Sequence, residues 1–232
     1  MGAARLAGLL SRSPSGEMED ERMVKSYRIT PFLCGVVFFL FVLAGAAQAD
    51  VETYAIANDH SFANWKIRHV AARVSGTFSD VSGTVAIDRQ NLGNSRLDAT
   101  INVFSLNSSH RERDSHLLTS EFFDALKFKT IRFVSTAVKP TGPDRGTVSG
   151  DLTIHGVTRP VELSFRVLGF GPDPWGGYRS GFEATTVLKR SDYGITWGLD
   201  MPGGGPVGDE VEVTLLIEGV KLGPDGSPVK LK

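Results

Sequence analysis

The chain has 232 residues, and its 25 lysines and arginines against 26 aspartates and glutamates give a formal net charge of -1. A chain this close to neutral carries no extended basic field, which argues against nucleic acid as a partner. Hydrophobic residues make up 41% of the sequence, which is ordinary for globular proteins and argues against disorder. The single cysteine excludes a disulfide framework within the chain and a cysteine-based zinc cluster.

The first feature in chain order is an export signal. The stretch 29–49 is nearly all apolar, follows Lys25 and Arg28, and ends in Ala47-Gln48-Ala49. A basic flank, an apolar run and a small-x-small site are the three parts of a secretory signal peptide. We therefore expect residues 1–49 to be a signal peptide region, cleaved before Asp50.

Acidic residues crowd positions 17–21, where a signal peptide carries basic ones, and this favours Met23 as the true start. The alternative is an uncleaved membrane anchor, since about 20 apolar residues can span a bilayer. The small residues at 44–47 favour cleavage, which leaves no stable membrane span. A Sec-type signal predicts a periplasmic location, and a mature chain without cysteine suits that oxidising compartment.

From Asp50 onward, apolar residues recur at every second position, which is the pattern of strands with one face turned to a core. Turn sequences such as Gly171-Pro172-Asp173-Pro174 separate these runs, and short turns make antiparallel neighbours. The strand candidates are the stretches 51–56, 65–69, 74–87 with a break near Asp80, 97–103, 131–138, 147–155, 161–167, 178–188 and 211–217. From these candidates we expect about eight strands.

One segment, from Ser109 to Asp124, is rich in helix formers, with Leu118 and Phe122 spaced to share a helical face. A single helix in an otherwise antiparallel β chain indicates an all-β barrel with the helix over one wall or end. Residues 50–222 are predicted to form this domain, and residues 223–232 a flexible C-terminal tail.

A barrel of about eight strands is either filled by side chains or just wide enough for one small ligand. Small residues on the inward faces, such as Ala99 and Gly150, leave volume for a ligand. An apolar lumen gains about 0.8 kcal/mol for each buried methylene, so a long hydrocarbon is its natural occupant. The alternative is a ligand-free envelope interaction module, whose lumen would be filled by the aromatic residues Phe104, Phe133, Phe165 and Phe182.

A set of motifs runs along nearly the whole mature chain, from about His60 to Leu222. The motifs are His60-Ser61, Trp65-Lys66-Ile67-Arg68-His69, Gly76-Thr77-Phe78, Arg113-Asp114-Ser115-His116-Leu117, Glu121-Phe122-Phe123-Asp124, Ile131-Arg132-Phe133, Gly150-Asp151-Leu152-Thr153-Ile154-His155-Gly156-Val157-Thr158-Arg159-Pro160-Val161 and Lys189-Arg190-Ser191-Asp192-Tyr193-Gly194-Ile195. Together, and in this order, they resemble the YceI-like polyisoprenoid-binding proteins of bacterial envelopes.

The resemblance implies an extended, lipocalin-like antiparallel β-barrel with one α-helix segment. It further implies a lumen that holds an isoprenoid or another long-chain fatty amphiphile, often in a homodimer. The only small molecule expected is this bound isoprenoid lipid or a quinone-like amphiphile, with no other cofactor. Trp65 stands where the family usually has phenylalanine, which bears on chain-length preference.

Candidate ligand-binding residues follow from these motifs. Arg113 presents a planar fork of donors suited to a phosphate or carboxylate head group. The alternative is that Arg113 pairs with Asp114, or Arg190 with Asp192, to fasten the helix to the barrel. The full set of head-group or lumen candidates is Trp65, Arg113, His116, Phe133, His155, Phe165, Phe182, Arg190 and Asp192.

The sequence predicts neither a metal site nor an enzyme. His110 and His116 are six residues apart, which does not place them on one helical face as zinc ligands. No nucleophile elbow or zinc-protease helix motif occurs. A barrel enzyme that uses His155 and Asp192 as acid and base is the alternative, and it requires a histidine–carboxylate pair directed into the lumen.

Overall fold

The computed structural model describes residues 51–231. The predicted signal peptide, its cleavage site and the alternative start at Met23 therefore lie outside the described residues. Within residues 51–231, no helix has both the length and the apolar character needed to cross a membrane.

The described chain consists of antiparallel strands and one short α-helix, α1, which spans Arg111–Leu117. The strands are β1 (Val51–Ile56), β2 (Phe62–His69), β3 (Ala72–Phe78), β4 (Val81–Asp88), β5 (Arg96–Asn102), β6 (Leu106–Asn107), β7 (Thr130–Pro140), β8 (Arg145–Ile154), β9 (Val157–Pro172), β10 (Tyr178–Lys189) and β11 (Val207–Lys221).

The sheet closes on itself. β1 pairs with β4 on one side and with β11 on the other, so the ring runs β1-β4-β5-β7-β8-β9-β10-β11 and back to β1. Every pair in this ring of eight strands is antiparallel. The predicted all-β barrel of about eight strands with one helix is confirmed.

The barrel is extended because β11 serves two neighbours in succession. Its residues Val207–Leu216 pair with β2, and its residues Gly219–Lys221 pair with β1. β3 then pairs with β2, and β6 adds two residues to the far side of β3. The wall formed by β2, β3 and β6 thus continues the barrel beyond the closed ring.

The predicted break near Asp80 is confirmed, since β3 ends at Phe78 and β4 begins at Val81. The Asp80 carboxylate accepts hydrogen bonds from the side-chain amides of Asn58 (3.0 Å) and Asn102 (2.9 Å). Asn58 lies between β1 and β2, and Asn102 ends β5. One carboxylate therefore ties together three neighbouring places where the strands are interrupted.

The helix is shorter than the sequence predicts: the expected segment was Ser109–Asp124, and α1 covers only Arg111–Leu117. The side chain of His110 starts the helix by accepting the backbone N–H three residues on (3.3 Å). At the other end, the Thr119 hydroxyl donates to the carbonyl three residues before it (2.8 Å). Such side-chain bonds compete with helix propagation, and the chain continues in turns.

The interior is divided between two hydrophobic clusters. The larger cluster surrounds the space under α1, and the smaller is built on Tyr54, Ile87 and Leu92 with Phe170 and Phe182 packed against it. Phe165 and Val85 pack against both clusters and so lie between them. One end of the barrel is therefore filled by side chains.

A charged network lies against the filled end. The Glu52 carboxylate accepts from the Tyr54 hydroxyl (2.8 Å) and pairs with Arg89 (2.6 Å) and Lys221 (2.5 Å), and we call these four residues the Glu52 network. The Arg89 guanidinium lies 3.9 Å from the ring centre of Phe170. Burial alone would raise the pKa of Glu52, but its three partners hold that pKa below its usual value.

Residues 223–231, the described part of the predicted tail, fold back on the barrel. The backbone N–H of Val229 donates to the carbonyl of Lys221 (2.9 Å), and that of Leu231 donates to the carbonyl of Gly176 (2.6 Å).

Candidate functional site

The larger cluster encloses a cavity of about 340 Å³. Its wall is formed by residues of β1 to β5 and β7 to β11, together with α1, Phe122 and Phe123, and the segment 190–197 that follows β10. In β11 the alternate residues Val211, Val213, Leu215 and Ile217 all face this cavity, as strand geometry requires. The apolar face predicted for this strand is thus the cavity wall.

The cavity wall is mostly aliphatic and aromatic, and its polar side chains are few. Among the described residues that line it there is no aspartate or glutamate. The charged or titratable nitrogen-bearing side chains on the wall are His69, Arg113, His116 and Arg190. The formal charges on the wall are therefore positive.

Trp65 lies on β2 between Val213 of β11 and Gly76 of β3. Its indole occupies the space above Gly76, where a β-carbon would lie 2.3 Å from the Trp65 Cζ2 atom. The indole Nε1 is buried, and it has no hydrogen-bond partner among the described residues. An unpaired buried donor costs about 1–3 kcal/mol, which a ligand with an acceptor atom would relieve.

Arg113 is held by Ser108 at the start of α1. Its Nε donates to the Ser108 hydroxyl (2.7 Å) and one Nη donates to the Ser108 carbonyl (2.5 Å). Asp114 accepts from the same serine, through the Ser108 backbone N–H (2.9 Å). The direct Arg113–Asp114 ion pair considered from the sequence does not form in the described structure, because Ser108 stands between the two side chains.

His116 belongs to an aromatic group that covers the cavity at α1. Its ring packs edge-on against Phe122 (5.0 Å between centres) and Trp197 (5.5 Å), and those two rings lie 5.3 Å apart. The His116 Nε2 lies 2.5 Å from a carboxylate oxygen of Glu121, which is exposed and outside the wall. The contact with Glu121 and the packed rings together fix this covering group.

Arg190 is the most deeply buried charge on the wall, with 6% of its surface exposed. Its guanidinium donates to four backbone carbonyls of the segment that follows it and of early β11. These acceptors belong to Ile195 (2.8 Å), Trp197 (2.8 Å), Gly208 (2.8 Å) and Val207 (3.1 Å).

Burial lowers the pKa of Arg190, and the charge of Asp209 partly opposes this. Asp209 itself accepts from the backbone N–H (2.9 Å) and hydroxyl (2.8 Å) of Ser191. The Arg190–Asp192 ion pair considered from the sequence is absent from the described residues, because carbonyl oxygens satisfy the guanidinium. Arg190 instead fastens the segment 190–197 to β11.

Phe133 lines the cavity, and its ring lies over Gly150. Phe165 and Phe182 do not line it: Phe165 lies between the two clusters, and Phe182 packs in the filled end. Phe104, named for the filled-lumen alternative, is 47% exposed. The filled-lumen alternative therefore describes only one end of the barrel.

His155 and Asp192 also lie off the cavity wall. The His155 Nδ1 lies 3.2 Å from the carbonyl oxygen of Tyr193, and its ring packs against Phe128. The backbone carbonyl of Asp192 accepts from Arg159 (3.2 Å). The structure does not bring these two side chains together as a pair directed into the lumen.

The sequence reasoning missed part of the wall. Tyr193, Ile195 and Trp197 all line the cavity, although they follow the last residue of β10. Their spacing of two was a usable signal, but Gly194 between them and Gly198 after them are typical of a loop. Burial raises the pKa of Tyr193 to about 12, with the charge of Asp192 adding to the effect.

No group of three or more histidine, cysteine, aspartate or glutamate side chains within residues 51–231 is arranged to hold a metal ion.

Comparison with known proteins places this geometry in a family. A family model described as a YceI-like domain matches residues 54–219. A UPF0312 protein of Ectopseudomonas mendocina is 42% identical over 177 residues, covering 75% of this chain and 90% of that protein. Protein YceI of Salmonella newport is 40% identical over 183 residues, covering 78% of this chain and 93% of that protein.

Solved structures share the fold. BcnA of Burkholderia cenocepacia matches with a TM-score of 0.63 at 23% identity, covering 70% of this chain and 98% of that one. A polyisoprenoid binding domain from Saccharophagus degradans matches with a TM-score of 0.55 at 15% identity, covering 72% and 98%. With the family model spanning most of the barrel and relatives at 40% identity or more, the chain belongs to the YceI-like family.

Proposed function

We propose that this protein is an exported, periplasmic lipid-binding protein that holds a polyisoprenoid or another long-chain amphiphile in the apolar lumen of its barrel. The single observation that carries the proposal is the cavity of about 340 Å³ with its largely aliphatic and aromatic wall. Apolar surface of this kind favours a hydrocarbon over water, by about 25 cal/mol for each Å² buried. The Saccharophagus degradans domain supports the fold only, so the ligand class rests on the wall of this chain.

The proposed role is binding and not catalysis. The wall offers packing surface along the lumen and polar groups at one end, which suits a molecule with a tail and a head. His155 and Asp192, the pair considered for acid–base chemistry, lie off the wall. The predicted homodimer stays a prediction.

A matched pair of substitutions tests the proposal. Leu215 lines the cavity, whereas its neighbour Leu216 points outward and is 39% exposed. Leu215→Trp adds bulk inside the lumen, and Leu216→Trp makes the same chemical change on the outer surface. Binding of farnesol and longer polyprenols is followed by tryptophan fluorescence, because Trp65 and Trp197 line the cavity.

We expect Leu215→Trp to weaken polyprenol binding at least about ten-fold, since the tail loses several buried methylenes. Leu216→Trp is expected to bind as the unchanged protein does. Equal binding by both variants, or no binding of any isoprenoid to the unchanged protein, would refute the proposal.

The location is tested separately. We expect the protein to be recovered from a periplasmic fraction with Asp50 as its first residue. Retention of residues 29–49 on the exported protein would contradict this part of the proposal.

A further inference from the structure

The polar groups of the cavity lie together at one end. Trp65 of β2 pairs with Val213 of β11, and two inward positions further along, His69 pairs with Val207, whose carbonyl accepts from Arg190. On the other side of Trp65, β3 pairs with β6. Ser108, the hydrogen-bond partner of Arg113, directly follows β6 in the chain. The covered end of the cavity, at α1 and the segment 190–197, is therefore the polar end.

The opposite end is apolar. There the wall is formed by residues such as Leu163 of β9, and Phe165, the next inward position of that strand, packs against both clusters where the filled end of the barrel begins. An amphiphile has its hydrocarbon stabilised by apolar contacts and its head by polar ones, so its tail points toward Phe165 and its head lies at α1.

The donors at the polar end have unused capacity. A guanidinium carries five N–H groups. Within the described residues, Arg113 donates two hydrogen bonds, both to Ser108, and Arg190 donates four, all to backbone carbonyls. The Trp65 Nε1 uses none, and of the two buried side-chain polar atoms without a partner in this part of the chain it is the one on the cavity wall.

The charges at this end are also unbalanced. His116 has Glu121 beside it, and Asp114 shares Ser108 with Arg113, but both carboxylates lie off the cavity wall. Arg190 forms no ion pair with a carboxylate among the described residues; the charge of Asp209 acts on it, but Asp209 is bonded to Ser191 and also lies off the cavity wall. In surroundings of low polarity, charges of opposite sign attract much more strongly than in water.

From these observations we infer that the head group of the bound amphiphile is anionic, a phosphate or a carboxylate, and that it is held at the α1 end of the lumen by Arg113 and the Trp65 Nε1 in the field of Arg190. The inference rests on the proposed function, because it assigns the head of a ligand whose tail occupies the same lumen. An alcohol head offers one acceptor and no charge, and an amine head would be repelled by both arginines.

Four compounds that share the farnesyl tail and differ in their head group test the inference. Farnesyl phosphate, farnesoic acid, farnesol and farnesylamine are titrated into the purified, delipidated protein, with inorganic phosphate as a fifth probe, and fluorescence gives each affinity. We expect both anions to bind at least about ten-fold more tightly than farnesol, since a charge-assisted hydrogen bond exceeds a neutral one by about that factor. Farnesylamine is expected to bind most weakly, and inorganic phosphate not to bind detectably.

Substitutions on α1 locate the effect. Arg113→Gln is expected to remove most of the preference for anions over farnesol, measured as the ratio of the two affinities in the same variant. Arg111→Gln makes the same charge change on the exposed face of the same helix and is the control. Arg113→Lys keeps the charge, so it is expected to keep most of the preference even if the bonds to Ser108 are lost.

The outcomes separate the two proposals. If farnesol and the anions bind equally, if farnesylamine binds most tightly, or if inorganic phosphate binds as tightly as farnesyl phosphate, the anionic head is refuted while the lumen remains a lipid site. An anion preference that survives Arg113→Gln refutes the assignment to Arg113. If none of the four farnesyl compounds binds, the proposed function itself is refuted.

Discussion

Replacing Arg190 by methionine tests how the covered end of the cavity is built. Arg190→Met keeps a long side chain but removes the guanidinium and its four hydrogen bonds to backbone carbonyls. Four charge-assisted bonds would sum to about 6 kcal/mol or more. Burial of the cation, which lowers the pKa of Arg190, offsets part of that sum. We expect a net loss of about 3–5 kcal/mol, because each carbonyl left without a donor costs about 1–3 kcal/mol and removal of the buried cation offsets part of the total.

The assay is thermal and urea unfolding, followed by circular dichroism. For a domain of this size, 1 kcal/mol corresponds to about 2–4 °C, so Arg190→Met should lower Tm by roughly 6–20 °C. Arg159→Met is the matched control, because exposed Arg159 makes one bond to a nearby carbonyl (3.2 Å) and should change stability by less than about 1 kcal/mol. Similar, small losses in both variants would refute the assigned role of Arg190.

Three further substitutions test the packing of the interior and the charges of the Glu52 network. Phe165→Ala should cost about 2–4 kcal/mol and raise the affinity for long polyprenols relative to farnesol; an unchanged ratio would contradict its placement at the end of the cavity. The pKa of Glu52 is lowered in the folded state, so Glu52 stabilises the fold above about pH 4.3, and this stabilisation is lost as acid protonates it. Glu52→Gln should therefore reduce the fall in the free energy of unfolding on acidification. An unchanged fall would count against the Glu52 network. Gly76→Ala should cost about 1–3 kcal/mol because its methyl group meets both the Trp65 indole and the backbone carbonyl oxygen of Asn107, whereas Gly171→Ala has open space and should be tolerated; equal effects in urea unfolding would contradict this close packing over Gly76.

Much of the fold could be predicted because strand alternation is a local signal. β1 matches its predicted range residue for residue, and the break near Asp80 was foreseen. The helix was overestimated because the spacing of Leu118 and Phe122 suits a helix, while hydrogen bonding by Thr119 ends α1 before Leu118. Competition of this kind depends on geometry that a residue pattern does not contain.

The candidate site was only partly predictable. Trp65, Arg113, His116, Phe133 and Arg190 do lie on the cavity wall, and the strand pattern or the family motifs had singled them out. Whether they bind a ligand is still a prediction. The division of the lumen between an open and a filled end could not be read from alternation, because residues in both parts face inward equally.

Native mass spectrometry with lipid extraction, on the protein purified from a periplasmic fraction without detergent, shows whether the lumen carries an amphiphile. We expect a stoichiometric long-chain amphiphile that is released on unfolding and is present in a smaller amount on Leu215→Trp. A bare polypeptide mass, together with no change in Tm on adding isoprenoid lipids, would contradict the proposed lipid binding.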